Sequence, residues 1–596
     1  MRRRLLVVVL ALTLLVTGCA TVPTQGNIRQ GSREGLTQGG IGVGVEAKPP
    51  RENLTELELV NGFLEAMSDT RAFDVARQYM TADAAAAWKP ETQTIVYDQR
   101  PGSVAPQPGG GVKLTARKIA TVDERGEWIP AAPGADRADF LFKVAKVDGQ
   151  LRVASAPPGV YLGSNQVDLK LAPRDLYFFN PGRELLVPDP VYLSVNQSQG
   201  QAATQLIQEL LKGPTKSLGN GVVSLAPPGT QVQVSVPVEF GVATVALNDT
   251  AAALRDQDRH LLAAQIVWTL NQINLRARIT VGGAPLLPDD PDVLPFTNFS
   301  QYDPSIPGGA MTTLYGLRQG RVQRVEGLDG ASDIAARPLD SSLLHGQIAE
   351  SFAVNLRGDS GAIVTTIDGE KVVAYGPLDN TDNSDKTDDL RTIKTVGTVL
   401  RPSYDNDDNL WIVDRADKAT PRLRVRNRDG KLTAVTVSFR GDTPLVLRMA
   451  PDGVRALLVM RSKATGKTYV ETGAIQTGPD GKQLLLGSLR KLELALTDMT
   501  DAAWNKQGVL VAGASGSASN ADRAPWLVNP DGSKLQLLPG ASTDFITQRL
   551  ASNPSKDTLP AVEDVDGHVH WQTRDLTWTA MEDDANALPF IPVYPG

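Results

Sequence analysis

The sequence predicts a multidomain protein that combines α+β domains with a large all-β domain. Its 596 residues are enough for about four domains of ordinary size. The 54 glycines and 40 prolines exceed ordinary usage, which indicates many turns and therefore many strands. Apolar residues at helical spacing end near Ile273, and the remaining chain reads as turns that lead into short apolar strands.

The composition excludes several classes of protein. Hydrophobic residues make up 41% of the chain and charged residues 21%, so a buried core is expected and wholesale disorder is not. The 67 acidic residues outnumber the 60 basic ones, and the net charge of −7 argues against nucleic-acid binding. A single cysteine cannot form an internal disulfide or a multi-thiolate metal site.

The N-terminal segment predicts export and lipid attachment. Arg2–Arg4 precede the apolar run Leu5–Val16, which is too short to span a bilayer. The run leads through Thr17 and Gly18 to Cys19, the only cysteine, and this pattern resembles a bacterial lipoprotein signal. The resemblance implies a signal peptide at 1–18 and a Cys19 that carries S-diacylglycerol and N-palmitoyl groups, on the extracytoplasmic face of the cell membrane. The alternative is a chance cysteine in an ordinary signal peptide.

Residues 19–52 are expected to form a flexible tether. The segment from Thr21 to Pro50 is rich in glycine and has no aromatic residue. Gly40–Gly44 faintly suggests a nucleotide-binding loop, but no predicted strand precedes it and no predicted helix follows. We therefore expect no nucleotide and no other cofactor.

The first domain, 53–165, is predicted to be α+β. Leu57, Val60, Leu64 and Met67 lie at helical spacing, and a second helix is expected around Phe73–Met80. Predicted strands follow at Thr94–Gln99, Val112–Val122, Phe140–Val147 and Leu151–Ala154, with a hairpin turn at Asp148-Gly149. This pattern resembles the NTF2-like fold. No histidine precedes His260, so a catalytic Asp/His pair in this domain is disfavoured.

The second domain, 190–290, has a more specific pattern. A helix over 202–211 ends at Gly213-Pro214, and a second helix should bury Leu262, Ile266, Trp268 and Ile273 after a cap near Asp256 or Asp258. Strands are predicted at Gln231–Val238, Val242–Leu247 and Arg278–Val281. The stretches LLKGP, LAPPGT, GVATVAL, QIVWTLNQ and ITVGGAPL together resemble the GerMN domain. The resemblance implies a packing and assembly module.

The third domain, 308–596, shows weak internal repetition. Turns of Asp, Asn or Gly lead into apolar strands at Gly358–Val364, Asp408–Val413, Asp452–Val459 and Asn505–Val511. The copies recur about every 45–55 residues, a period typical of four-stranded propeller blades. The sequence therefore predicts a β-propeller of about six blades.

Taken in order, the lipoprotein signal, the NTF2-like region, the GerMN domain and the propeller resemble the actinobacterial LpqB lipoproteins. The resemblance spans nearly the whole chain. It implies an accessory of the MtrA–MtrB two-component system that modulates the sensor kinase from outside the membrane and affects cell-wall metabolism and division.

Several motifs imitate catalytic or metal sites. Gly358-Asp359-Ser360-Gly361 copies the nucleophile signature of trypsin-like proteases. That chemistry also needs a base histidine that a carboxylate orients, and the residues around His345, the nearest histidine in sequence, do not match the motif that surrounds such a histidine. A blade turn is the preferred interpretation. His568 and His570 could supply two metal ligands, but the sequence places no acidic companion beside them, so a surface pair is expected.

Two acidic segments are also expected to be loops. Asp405–Asn409 begins like a calcium-binding loop, yet Leu410 replaces the required glycine and Ala416 the bidentate glutamate. A polar blade loop is favoured there, with a weak calcium site left open. Asp379–Asp389 is expected to be a solvated loop.

Two functional hypotheses follow. The preferred one is a non-enzymatic envelope lipoprotein whose partners are membrane lipid, through Cys19, and a sensor kinase ectodomain. The other is a protein that binds or hydrolyses cell-wall glycan such as peptidoglycan at the propeller mouth, with paired carboxylates flanking the glycosidic bond. No catalytic, cofactor-binding or metal-binding residue is assigned.

Overall fold

The computed structural model describes most of the chain beyond the tether. The described residues are 47–68, 73–98, 100, 102–132, 137–303, 305, 312–327, 335–339, 344–378, 390–478, 481–516, 523–541, 545–581 and 589–596. All belong to the compact unit that runs from Val45 to Gly596. Within these ranges, no helix has the length and apolar character needed to cross a membrane.

The N-terminal α+β domain packs short helices against one sheet. Helix α1, Glu56–Met67, begins with a capping box between Thr55 and Glu58 and buries Phe63 and Met67. Helix α2 covers only Asp74–Gln78, shorter than predicted, and α3 covers Ala82–Ala87. The strands are β1 Gln93–Asp98, β2 Val104–Pro106, β3 Val112–Asp123, β4 Trp128–Pro130, β5 Arg137–Val147, β6 Gln150–Ser155 and β7 Val160–Gly163.

The sheet of this domain has the order β6-β5-β3-β1-β7. The predicted hairpin turn lies between β5 and β6, where Asp148 and Gly149 both have positive φ, as a two-residue turn requires. The last strand, β7, was not predicted and pairs in parallel with β1. The layout of helices against a single sheet is the α+β arrangement expected from the sequence.

A hairpin that was not predicted follows. Helix α4, Val167–Lys170, leads into strands β8, Leu171–Phe179, and β9, Leu186–Ser194, which pair over their full length. The inward residues Phe178, Phe179 and Val187 are fully buried. They pack in the same core cluster as the helices of the next domain.

The GerMN domain sets two long helices against a small sheet. The helices are α5, Gln199–Leu211, and α6, Asp256–Asn271, and the strands are β10 Val238–Glu239, β11 Val242–Leu247, β12 Arg276–Val281 and β13 Ala284–Pro285. The strand predicted at Gln231–Val238 is reduced to β10. Pro237 has no N–H to donate to the ladder, and Val234 is left exposed to solvent.

Helix α6 differs from the prediction at both ends. Arg255 occupies its N-cap without a side-chain hydrogen bond, and Asp258 instead lies in the first turn, where it pairs with Arg183 at 2.8 Å. Leu262 and Ile266 are buried as predicted, but Trp268 is only partly buried, and so is Ile273, which follows the helix. The 3-10 turns among the described residues are Pro90–Thr92, Ser164–Gln166, Gly219–Gly221, Asp249–Ala253 and Phe296–Tyr302.

The remaining described residues form a β-propeller of six four-stranded blades. The C-terminal strand β37, Phe590–Val593, pairs with β14 and so closes the ring between the two ends of the domain. The other strands, grouped by blade, are β14 Tyr315–Arg318, β15 Arg321–Glu326 and β16 Ala335–Pro338; β17 Ser351–Val354, β18 Ser360–Ile367, β19 Glu370–Pro377 and β20 Arg391–Lys394; β21 Ser403–Tyr404, β22 Leu410–Asp414, β23 Arg422–Arg426 and β24 Leu432–Val437; β25 Thr443–Met449, β26 Arg455–Arg461, β27 Thr468–Thr477 and β28 Leu484–Leu492; β29 Leu496–Asn505, β30 Gly508–Ser515, β31 Arg523–Val528 and β32 Gln536–Leu537; and β33 Thr547–Ala551, β34 Ala561–Asp564, β35 Val569–Gln572 and β36 Trp578–Ala580.

The apolar cores are continuous between domains. The cluster that fills the GerMN domain and the β8–β9 hairpin also takes in Val454 and Ala474 of the propeller. Another cluster joins Trp128 of the N-terminal domain to Tyr192 of the hairpin, with ring centroids 5.1 Å apart. Burial of apolar surface therefore holds the domains together as well as each domain itself.

Candidate functional site

One face of the propeller is built from turns that share a side-chain device. In five blades the innermost strand leads to an Asn or Asp whose side chain accepts backbone N–H groups two to five residues later. These residues are Asn355, Asp405, Asp452, Asn505 and Asn553, and we call their side of the ring the turn face. It is the face that meets the other domains, since Asn180 of the hairpin donates to Asp452 O at 3.4 Å.

A single buried carboxylate joins all three domains at this face. Glu127, in the N-terminal domain, is only 3% exposed. Its Oε1 accepts hydrogen bonds from Ser217 Oγ of the GerMN domain at 2.5 Å and from the guanidinium of Arg490 in the propeller. Arg490 Nη1 also donates to Trp128 O at 3.0 Å. We call Glu127, Ser217 and Arg490 the Glu127 junction.

A second ion pair supports the contact between the N-terminal and GerMN domains. Arg125 Nε lies 2.8 Å from Glu209 Oε2, and Arg125 Nη2 donates to Gly213 O at 2.7 Å. Glu209 is buried and is also paired with Lys212 at 2.6 Å. Arg125 therefore also satisfies the carbonyl of Gly213, just past the end of α5.

The GerMN domain contacts β27 of the propeller through the turn Gly219–Gly221. Asn220 Nδ2 donates to Thr477 O at 2.8 Å, and the backbone of Gly221 lies directly against β27. A Cβ at Gly221 would lie 2.5 Å from Ile475 O, closer than any real side chain permits. The contact therefore needs glycine at this position.

An interdomain cleft of about 1,060 Å³, including its open side, lies between the hairpin and the turn face. Its walls carry the rings of Tyr177, Trp268 and Trp504, and the carboxylates of Asp175 and Asp303. Burial raises the pKa of Asp175 to about 6, and Arg455 opposes that shift. Aromatic rings beside polar and ionisable groups are typical of a binding cleft.

The structure places the protease-like motif in a blade turn. Gly358–Gly361 lies between β17 and β18, and Ser360 Oγ donates to Gly376 O at 3.3 Å. Asp359 accepts a hydrogen bond from Asn355 Nδ2 at 2.7 Å. The two side chains thus serve the turn and its neighbouring strand.

The expectation for the histidine pair is wrong. The turn between β34 and β35 folds Asp564 back, so that its Oδ2 lies 2.9 Å from His570 Nε2 and 3.4 Å from His568 Nδ1. Ligand atoms of Asp564, Asp566 and His568 all lie within 4.8 Å of one another. His570 is partly buried and stacks on Phe545 at 4.4 Å, so the two histidines are not a pair on the surface.

The remaining acidic and N-terminal predictions have different outcomes. Asp405 is buried, and its carboxylate accepts hydrogen bonds from the backbone N–H of Asp407 and Asn409 and from Trp411 Nε1. Its oxygens therefore serve the blade turn. Cys19, Gly40–Gly44 and Asp379–Asp389 lie outside the described residues.

None of these interdomain contacts was predicted from the sequence. Glu127 and Arg490 are separated by 363 positions, so no local pattern links them. Pro188 and Pro190, which line the cleft, are a weak sequence indication of the strand there, because prolines in an apolar run point to an edge strand or a bulge.

Together these features define a class: a propeller whose turn face carries an α+β domain and a GerMN domain. Family models match this architecture. "Lipoprotein LpqB, N-terminal domain" matches residues 49–168, "Sporulation and spore germination" matches 175–287, and "Lipoprotein LpqB beta-propeller domain" matches 318–595. The two LpqB models account for about two thirds of the chain.

Relatives that match nearly the full length of the chain bear the same family name as these models. The chain is 27% identical to "Lipoprotein LpqB" of Thermobifida fusca, covering 98% of this chain and 97% of that one. It is 28% identical to "Lipoprotein LpqB" of Streptomyces coelicolor, covering 98% and 96%. The chain belongs to the LpqB lipoprotein family. Among solved structures, a chain from "Crystal structure of Nidogen/Laminin Complex" covers 47% of this chain and is itself 97% covered, at 11% identity and a TM-score of 0.31, too low to support an argument.

Proposed function

We propose that this protein is a non-enzymatic lipoprotein anchored by acylated Cys19 to the extracytoplasmic face of the cell membrane. Support comes from the signal-like residues before Cys19 and from the full-length similarity to LpqB lipoproteins. The two acyl chains of a diacylglycerol are by themselves enough to make such attachment effectively permanent. In this proposal residues 1–18 are a signal peptide, 19–52 are a tether, and 53–165, 190–290 and 308–596 are the domains.

The proposed partner is the ectodomain of the sensor kinase in the MtrA–MtrB system, whose output the lipoprotein modulates. The observation that carries this role is the Glu127 junction, because it fixes three domains in one arrangement. A preformed arrangement lets a large surface bind without the cost of ordering it. Modulation of the kinase would then affect cell-wall metabolism and division.

The anchor is tested by replacing the acylated residue. Cys19→Ser should move the protein from the membrane fraction to the soluble fraction, because serine cannot accept the thioether-linked diacylglycerol. Thr21→Ser is the matched control and should stay with the membrane. Membrane retention of a cleaved Cys19→Ser product would refute the lipid anchor.

The partner is tested by binding. The purified sensor ectodomain should retain this protein in a pull-down, and adding this protein should change autophosphorylation of the full-length kinase in vesicles. A heat-denatured sample of the same chain is the control. Absence of both effects, with an active kinase, would count against the partnership.

A second candidate is a cell-wall-glycan binder or hydrolase, favoured by the interdomain cleft. Tyr177, Trp268 and Trp504 offer faces on which sugar rings can stack, and Asp175 with its raised pKa has the property of a general acid. Incubation with peptidoglycan separates the possibilities. Released fragments that disappear in Asp175→Asn, but persist in the exposed control Asp292→Asn, would support hydrolysis, whereas co-sedimentation alone would support binding.

A further inference from the structure

A smaller cavity marks the mouth of the propeller's central channel. Its volume is about 390 Å³ including its opening, and its lining includes Arg401, Arg448, Trp504, Asn553 and Tyr594. Each lining segment belongs to or adjoins an innermost strand of a different blade, which places the cavity on the ring axis. Trp504 and Pro554 line both this cavity and the interdomain cleft, so the channel mouth opens toward the cleft.

Two arginines beside the channel are paired with carboxylates. Arg448 Nη2 lies 3.3 Å from Asp501 Oδ1, and Arg549 Nη1 lies 2.5 Å from Glu563 Oε2. Asp501 also accepts backbone hydrogen bonds from Ala502 and Leu550. These two ion pairs leave no excess charge of their own.

Arg401 has no such partner. It makes no side-chain hydrogen bond or ion pair with any residue in the described part of the chain, and its Nε is buried without a partner. Burial lowers the pKa of Arg401 to about 9, and the charges of Arg448 and Arg549 add to the effect while Asp501 opposes it. The guanidinium is therefore still charged at neutral pH. Arg401 is partly buried, and a partly desolvated charge without a partner is costly.

We propose that the channel mouth binds a carboxylate through Arg401. The planar guanidinium matches a carboxylate in a two-point hydrogen-bonded contact. Trp504 and Tyr594 supply apolar surface beside it for the carbon skeleton of the ligand, and Asn553 is a polar group on the same wall.

The carboxylate can belong to a small organic acid or to a peptide end, and both reach Arg401 through the interdomain cleft. The experiment uses the full-length purified chain and measures its melting temperature. One arm titrates acetate and succinate against chloride at equal ionic strength. The other arm titrates a tripeptide with a free C-terminal carboxylate against the same tripeptide amidated.

We expect a saturable rise in melting temperature with a carboxylate probe and none with chloride or the amidated peptide. Arg401→Gln should abolish the rise, Arg401→Lys should keep part of it, and the exposed control Lys534→Gln should keep all of it. The arm that saturates at lower concentration identifies the source of the carboxylate. An equal response to chloride, a response that survives Arg401→Gln, or no response in either arm would overturn the site.

A second measurement does not depend on the probe. Without ligand, Arg401→Gln should melt at or above the temperature of the unsubstituted protein, because the change removes a partly buried charge that has no partner. A lower melting temperature for Arg401→Gln together with an unchanged one for Arg401→Lys would show that the charge already has a counter-ion, and would overturn the proposal.

Discussion

Replacing Arg490 with alanine should open the Glu127 junction. The substitution leaves the Glu127 carboxylate, whose side chain is 4% exposed, without a charged partner, and it also removes the donor to Trp128 O. Breaking a buried ion pair by removing one partner costs about 3–5 kcal/mol. We expect the low end, about 3 kcal/mol, because the Arg490 side chain is 22% exposed and Ser217 still donates to Glu127.

Native-state hydrogen exchange is the assay that isolates this junction from global unfolding. A loss of about 3 kcal/mol corresponds to roughly hundredfold faster exchange in peptides around Glu127 and Arg490. The matched control is Lys534→Ala, since Lys534 of the propeller pairs at 3.2 Å with Asp168 of α4, just after the N-terminal domain, but on the surface. That control should change exchange only severalfold, because exposed ion pairs contribute about 1 kcal/mol or less.

A double variant completes the test. Adding Glu127→Gln to Arg490→Ala removes the uncompensated charge while keeping an acceptor for Ser217. The double variant should therefore lose less than the sum of the two single losses. Unchanged hydrogen exchange in Arg490→Ala, or stability losses of the two single variants that simply add in the double variant, would refute the view that this ion pair holds the domains together.

Two further predictions concern the interdomain surfaces. Gly221→Ala should lower the melting temperature by several degrees, because its Cβ would lie 2.5 Å from Ile475 O, whereas Gly200→Ala, with no atom nearer than 3.6 Å, should not. Equal melting temperatures for the two variants would contradict the close approach. Asp175 holds its proton more tightly in the folded protein, with a pKa raised from 3.8 to about 6, so its contribution to stability is present below pH 4 and is lost as the pH rises through 6. In urea unfolding series, Asp175→Asn should therefore gain about 1–2 kcal/mol relative to the unsubstituted protein between pH 4 and 7, a magnitude kept low because the residue is only partly buried. A difference that does not depend on pH would contradict the raised pKa.

Local patterns predicted the elements that depend on local interactions. Helix α1 follows from apolar spacing that one helix face buries, and the β5–β6 turn follows from an Asp-Gly pair that accepts positive φ. The six blades follow from a repeated turn that leads into an apolar strand, because each blade must bury its faces against its neighbours. These features need no knowledge of distant residues.

The parts that were missed depend on prolines or on distant residues. Strands β8 and β9 contain Pro173, Pro188 and Pro190, which ordinarily argue against a strand, yet the two-stranded ribbon accommodates them along its length. Asp564 reaches His570 only because the turn after β34 folds back. The Glu127 junction joins residues from three domains, and no periodicity within one domain can encode such a contact.

The most direct test of the central claim is a crosslinking map of intact membranes that contain both this lipoprotein and the sensor kinase. The account predicts crosslinks from lysines of the described domains to the extracytoplasmic part of the kinase, and their loss when Cys19→Ser releases the protein from the membrane. Crosslinks confined to other envelope components, with the kinase present and active, would contradict it.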